Sequence, residues 1–396
     1  MKKNVLLVLG LFLFTSSVFA IQNQPTWITE GPYLANPSAS FEIPVKLFAA
    51  KLYVNVEIGG EERRFVVDTG SPSMIDAQLA NELGLKVVDT NKGRDAHGSL
   101  IETNIVQTSL TIGGSEFHKV PIMTADFSGS PSTQSFIGDG VLGSELLPLG
   151  VWQMDLRNSV LRFDTDLTKL PYLDDAIELM LYQFGYPHTP IFDVTFSKSA
   201  RSKAMFDTGS SSFFSISSND LAGARNESGI GKTVFGYGSS GTSLGGQAME
   251  TELLLIELPT LSIGKLPLGA VSAFHRDMSP SLIGAGMLKY FIITLDSRSE
   301  KAYFKQYSDE PYVIRSFGFT LAFNNAISVG AVWDDSPAKA VGLRPGMELI
   351  SINGIETEFS MEGIRRIINA MDAENIELTW NDGSATLTKK ALLPLN

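Results

Sequence analysis

One phrase occurs twice in this chain, and the interval between its copies sets what the chain can fold into. Phe65-Val66-Val67-Asp68-Thr69-Gly70-Ser71 runs an apolar segment into a carboxylate, a hydroxyl and a glycine, and Ala204-Met205-Phe206-Asp207-Thr208-Gly209-Ser210 does the same. The aspartates lie 139 residues apart (207 − 68). Gly140-Val141-Leu142-Gly143-Ser144-Glu145-Leu146-Leu147 is echoed by Ser281-Leu282-Ile283-Gly284-Ala285-Gly286-Met287-Leu288, and Met154-Asp155-Leu156 by Thr294-Leu295-Asp296. Leu110-Thr111-Ile112-Gly113 is likewise echoed by Leu261-Ser262-Ile263-Gly264. Four landmarks in one order, three of them at offsets of 139 to 141 and one at 151, mark an internal duplication. A lone Asp-Thr-Gly would carry little weight, since chance supplies a given tripeptide about 0.05 times in a chain of this length. It would read as a strand end with an aspartate capping a turn.

Each copy is mostly short apolar runs broken by turn signals, which predicts a mainly β chain of two related β-barrel units. The copies are expected over residues 41–165 and 190–306. In the first, Leu52–Ile58 alternates apolar and polar residues and ends at a Gly59-Gly60 turn. Ile75–Leu85 has helical spacing, and Ile101–Thr108 with Ser109–Gly114 reads as a hairpin. A linker, 166–189, holds a short helical-looking run near Ala176–Leu181. Residues 21–40 are polar and proline-containing and read as an extended leader. After a boundary at 306–311 the pattern changes. Ser316-Phe317-Gly318-Phe319 is expected to begin a new sheet, Asp335–Leu343 reads as a capped short helix, and Met361–Ile368 as an amphipathic one.

The formal net charge of −12 comes without a basic stripe, so nucleic acid and anionic membrane surfaces are not expected partners. The absence of cysteine excludes disulfides, thiolate nucleophiles and thiolate-held zinc. The four histidines form no close pair, so no metal or other cofactor is expected. Residues 1–20 join Lys2 and Lys3 to an apolar centre and a Val18-Phe19-Ala20 end, the pattern of a cleaved export signal. The mature chain is therefore expected to be periplasmic or secreted, off the membrane.

Two related units that each end a strand in an aspartate invite pairing about a pseudo-twofold axis. Asp68 and Asp207 would then share a proton, because adjacent carboxylates resist ionising together. One can act as base on a water while the other donates to a substrate carbonyl. Thr69 and Thr208 have hydroxyls to brace the two turns, and Gly70 and Gly209 keep the approach open. Ser71 and Ser210 follow at the substrate side. Asp139 and Asp155 lie near these motifs and read as structural hydrogen-bonding groups.

On these motifs, residues from about 41 to 306 resemble a two-lobed aspartic protease built from a duplicated retropepsin-like unit. The resemblance implies two acid-protease lobes, a catalytic pair of Asp68 and Asp207, and hydrolysis of peptide or unfolded-protein substrates by a monomer. It departs from the pepsin type where a flap tyrosine would stand. Asp95-Ala96-His97-Gly98-Ser99 offers His97, while the second copy has Tyr237 in Phe235-Gly236-Tyr237-Gly238-Ser239. Both are candidates to close over substrate. Residues 312–394 resemble a PDZ domain, most clearly in Ser336-Pro337-Ala338 and Ala340–Gly354. That resemblance implies a small α+β barrel in which Phe317, Gly318 and Phe319 form a loop for a peptide C-terminus.

Gly236-Tyr237-Gly238-Ser239-Ser240-Gly241 fits a dinucleotide-binding fingerprint, but no helix-forming stretch follows it, and a glycine-rich flap is the expected reading. Three functions stay open on these residues. They are an exported aspartic endopeptidase with a peptide-selecting PDZ module, an inactive peptide-binding protein of the same fold, and a chain whose working part is the PDZ unit.

Overall fold

A computed structural model describes residues 24–395 apart from 95–97, 99, 128–130 and 244–245. The expected export signal and His97 lie outside the described residues. Among those described, no helix is long and apolar enough to cross a membrane.

The first copy comprises β1 (Ser40–Pro44), β2 (Lys51–Ile58), β3 (Glu61–Val67), β4 (Met74–Asp76), α1 (Ala77–Glu82), β5 (Val87–Arg94), β6 (Leu100–Ile112), β7 (Ser115–Ala125), α2 (Pro131–Ile137), β8 (Gly140–Leu142), β9 (Val151–Asp155) and β10 (Val160–Asp164). In β2, Val54, Val56 and Ile58 are buried while Asn55 and Glu57 face solvent, so the period of two selects one face for the core. Phe65, Val66 and Val67 of β3 are all buried, because β3 lies between antiparallel β2 and parallel β8. Strands β7-β4-β8-β3-β2-β6 follow one another, and β6 pairs back onto β7, which closes a barrel.

The second copy repeats this circuit strand for strand. It comprises β11 (Ile177–Met180), β12 (Ile191–Thr195), β13 (Arg201–Asp207), β14 (Phe214–Ser217), α3 (Ser218–Asn226), β15 (Thr233–Ser239), β16 (Glu250–Ile263), β17 (Leu266–Arg276), β18 (Ser281–Gly284), β19 (Phe291–Asp296) and β20 (Lys301–Gln306). The order β17-β14-β18-β13-β12-β16, closed by β16 on β17, matches the first barrel with every strand number raised by ten. The pairing senses match too. β3 with β8 and β13 with β18 are parallel, while β4 with β8 and β14 with β18 are antiparallel.

A six-stranded sheet, β11-β20-β19-β9-β10-β1, joins the copies. At its centre β9 runs antiparallel to β19, with Gln153 opposite Thr294. These residues are 141 apart in the chain, and the Gln153 amide donates to the Thr294 hydroxyl at 2.9 Å. The two hairpins thus meet at equivalent positions, and one apolar core runs through both barrels from Ala39 to Phe304.

Four local expectations are corrected. The helical-looking run near Ala176–Leu181 is strand β11, whose register against β20 buries Leu179 while Glu178 and Met180 face out. The helix expected over Ile75–Leu85 is shorter, because Met74–Asp76 is drawn into the barrel between β8 and β7. Asp76 then caps α1 through the Gln78 amide. Ile101–Gly114 is no hairpin but one long strand, β6, pairing with β7 along most of its length. The leader has a buried anchor: the Trp27 indole donates to Asp89 at 2.8 Å and meets the Tyr186 ring edge-on at 5.1 Å.

Beyond 312 lie β21 (Phe319–Phe323), β22 (Ile327–Trp333), β23 (Leu349–Ile352), α4 (Met361–Ala370), β24 (Asn375–Trp380) and β25 (Gly383–Thr388). Ser360 caps α4 by accepting from the Gly363 amide at 3.1 Å, and Ile364 and Ile367 seat the helix on a second core with Phe317, Leu349 and Leu378. The new sheet expected from Ser316–Phe319 holds in part: Ser316 pairs with Lys390 in a separate two-stranded sheet, but the strand from Phe319 does not. β22 pairs with β15, so β21 and β22 extend the sheet of the second barrel. On the other side α2 of the first barrel packs against α4, with the Phe136 ring 5.4 Å from Phe323.

Candidate active site

β3 and β13 deliver the two aspartates. Each strand runs beside a short parallel partner whose next residues pass under the turn. The Asp68 amide donates to the Leu142 carbonyl at 3.0 Å. The Ser144 amide reaches the Ser71 carbonyl at 2.9 Å, and in the second copy the Ala285 amide reaches the Ser210 carbonyl at 2.7 Å. The apolar pair and glycine of each copy therefore build the floor that holds its Asp-Thr-Gly turn.

The turns are locked to each other. The Thr69 amide donates to the Thr208 hydroxyl at 3.1 Å, and the Thr208 amide donates to the Thr69 hydroxyl at 3.1 Å. Each hydroxyl then donates into the opposite strand, Thr69 to the Phe206 carbonyl at 2.6 Å and Thr208 to the Val67 carbonyl at 2.8 Å. Both threonines are buried, so no water replaces these bonds, and an unmade one leaves an orphaned backbone group. The glycines pass beneath the opposite carboxylates. A Cβ on Gly70 would fall 2.6 Å from Asp207 Cγ, and one on Gly209 would fall 2.4 Å from Asp68 Oδ2. Only a residue without a side chain permits that approach.

Asp68 and Asp207 are half-buried and face each other. Burial first, and then the neighbouring Asp68 charge, push the Asp207 carboxyl up to about 7, against the opposing pull of Lys51. The Gly70 amide donates to Asp68 Oδ1 at 2.9 Å, and the Ser210 amide to Asp207 Oδ1 at 3.2 Å. The Asp207 proton is therefore held well above the ordinary carboxyl range, beside Asp68.

The other expected site residues are distributed unevenly. Ser71 directs its hydroxyl to the Pro72 carbonyl at 3.2 Å. Ser210 joins a chain of hydroxyls through Ser212 to Ser215, with steps of 3.0 and 2.9 Å. Tyr237 lies within β15, opposite Glu252 on one side and Val332 on the other, with 53% of its surface exposed. Its segment is one strand of the hairpin of β15 and β16, the counterpart in the second copy of the hairpin of β5 and β6. The hairpin of β5 and β6 reaches across the barrels: a Cβ on Gly98 would lie 3.3 Å from Met278 Sδ, two residues beyond the end of β17. Phe317 and Phe319 point into the C-terminal core, and Gly318 between them has a φ of +88°. Asp139 accepts from the Arg64 amide at 2.8 Å, and Asp155 from Arg162 at 2.7 Å.

Three charged residues near the pair carry no motif. Lys51 opens β2 and donates through Nζ to the Gly209 carbonyl. Arg276 ends β17, senses the Asp207 charge and donates to the Pro280 carbonyl at 2.5 Å. Glu145 is buried under the first turn, where it takes the Ser73 amide at 3.0 Å and the Ser73 hydroxyl. Comparing the copies could have flagged two of them. Glu145 stands where the second copy has Gly286. The registers of Tyr53 on Val66 and Ile191 on Met205 put Thr189 opposite Lys51 in the repeat.

Fold and site together define a mainly β, barrel-built chain with an aspartate pair at its centre. Residues 54–146, which carry the first aspartate and the strand passing under it, match a family model described as aspartyl protease. No curated protein matches the chain. Among solved structures it is similar to basic 7S globulin from soybean, with 11% identity and a TM-score of 0.42 over 69% of this chain and 96% of the other. It is also similar to an aspartic proteinase from Irpex lacteus, with 14% identity and a TM-score of 0.43 over 68% of this chain and 98% of that one.

Proposed function

We propose that the chain is an aspartic endopeptidase. The observation that carries this reading is the reciprocal threonine lock, which holds Asp68 and Asp207 face to face. A water between the carboxylates gives a proton to Asp68 as its oxygen attacks the peptide carbonyl carbon. Asp207 passes its own proton to the carbonyl oxygen. The tetrahedral diol then collapses: one hydroxyl returns its proton to Asp207 as the carbonyl re-forms, and the proton held by Asp68 goes to the leaving nitrogen. The Gly70 amide donates to Asp68 and so holds in place the carboxyl that takes the water's proton. The hairpin of β5 and β6 is the segment that closes over substrate.

Residues 1–20 direct export in this proposal, and residues 312–394 act as a PDZ module that recognises a peptide C-terminus. Support for the module comes from the loop at Gly318 and from β21, whose outer edge ends the extended sheet and offers a ladder to an added strand. The test is cleavage of an unfolded protein mixture by residues 21–396 across acidic to neutral pH, beside Asp68→Asn and Asp207→Asn. Cleavage by the parent and by neither variant supports the reading, and retained cleavage in both variants overturns it.

A further inference from the structure

We propose that Lys51 is a positioning residue for the aspartate pair: its ammonium ties the second turn to the first barrel and keeps the pair able to ionise. This deepens the endopeptidase reading and rests on it for its catalytic meaning.

The geometry is one-sided. Lys51 belongs to the first barrel, yet its hydrogen bond goes to Gly209, inside the second Asp-Thr-Gly turn. Gly209 is also the residue on which the Asp68 carboxylate rests, since a Cβ there would fall 2.4 Å from Asp68 Oδ2. The ammonium therefore acts on Asp207 from the residue over which the Asp68 carboxylate lies. Its partner is a neutral carbonyl, so its charge is left to act on the pair. The second copy has Thr189 at the equivalent register and contributes no charge there. The duplication makes the aspartates near-equivalent, and Lys51 makes them different.

The charged groups facing Asp207 are Asp68 from the end of β3, Lys51 from the start of β2 and Arg276 from the end of β17. Burial and Asp68 hold the Asp207 proton on, while Lys51 favours its loss. Arg276, whose guanidinium stays protonated near neutral pH, also favours the charged form. An opposite charge this close moves a carboxyl by about one pH unit or more. With Lys51 in place the last proton leaves the pair at lower pH, and the alkaline limit of the one-proton state lies lower with it.

The experiment is a carbon-13 NMR titration of the aspartate carboxyls in the parent, Lys51→Gln, Lys51→Met and Lys51→Arg, with Asp207→Asn to assign the signals. Gln keeps a donor for the Gly209 carbonyl and removes only the charge. The last proton is expected to leave the pair about one pH unit higher in Lys51→Gln and Lys51→Met, and near the parent value in Lys51→Arg. The alkaline limb of kcat/KM against pH is expected to move the same way. An unmoved titration in folded Lys51→Gln overturns the proposal even if activity falls. A moved titration in a parent that cleaves nothing upholds Lys51 and removes the endopeptidase reading.

Discussion

Glu145 and Ser73 form a buried pair beneath the first turn, in which one carboxylate accepts both the amide and the hydroxyl of one serine. Burial pushes the Glu145 carboxyl from 4.5 up to about 7 despite those bonds. A carboxyl raised in the folded state favours folding at low pH, and this contribution is lost as pH rises from about 4.5 to about 7. The shift corresponds to about 3 kcal/mol. Asp207, also raised to about 7, acts in the same sense. Melting temperature is therefore expected to fall between about pH 4 and about pH 8. Glu145→Gln, which keeps an acceptor for the Ser73 amide, is expected to flatten that fall. A slope unchanged by the substitution would rule the carboxyl out as its source.

Thr69→Val and Thr208→Val each remove a hydroxyl that serves as both acceptor and donor. Each leaves an amide of one turn and a carbonyl of the other strand without a partner, at about 1–3 kcal/mol per orphaned group. Turnover is expected to fall by at least tenfold in either variant. Thr69→Ser and Thr208→Ser, which keep the hydroxyl, are expected to recover most of it. Equal losses for Val and Ser would assign the effect to packing.

Gly70→Ala and Gly209→Ala test the close approach of the turns. The added methyl in the first meets Asp207 and in the second meets Asp68. Both are expected to lower kcat more than they raise KM, because they displace a reacting carboxyl and leave distant substrate contacts in place. Steady-state kinetics on one unfolded substrate would show it.

Removing residues 312–396 is expected to give an insoluble chain rather than a smaller working one. The deletion strips β22 from β15 and uncovers Leu255, which packs with Trp333, Leu392 and Leu393. An unpaired strand edge beside apolar surface favours aggregation. Gly318→Val is the gentler probe. A Cβ at Gly318 would lie 2.0 Å from Ser336 Cβ, so the loop must move while the β15–β22 ladder remains. Under the proposed PDZ reading, loss of peptide C-terminus binding with a lowered but still cooperative melting transition is the expected result, by fluorescence anisotropy and calorimetry.

The duplication, the strand-turn aspartates and the alternation in β2 were legible because each is local or repeats along the chain. Lys51 was not, since nothing in its neighbourhood tells that a strand start in one barrel meets a turn in the other. The run at Ile177–Met180 is too short for its period to separate helix from strand, and β20 decides it by pairing. Trp27 lay in a polar leader whose composition hid one buried indole. The pairing around Tyr237 was hidden for a related reason: a glycine-rich stretch shows nothing of the third strand, β22, that lies beside it.

The central pairing of Gln153 with Thr294 bears on how the chain can be divided. Were the two repeats identical, that position would meet itself across the axis, and either half could serve as its own partner. A glutamine amide donating to a threonine hydroxyl is a complementary pair, not a self-pair. Two polypeptides cut within 166–189 should therefore reassemble as one of each kind, and neither half alone should form a matched twin.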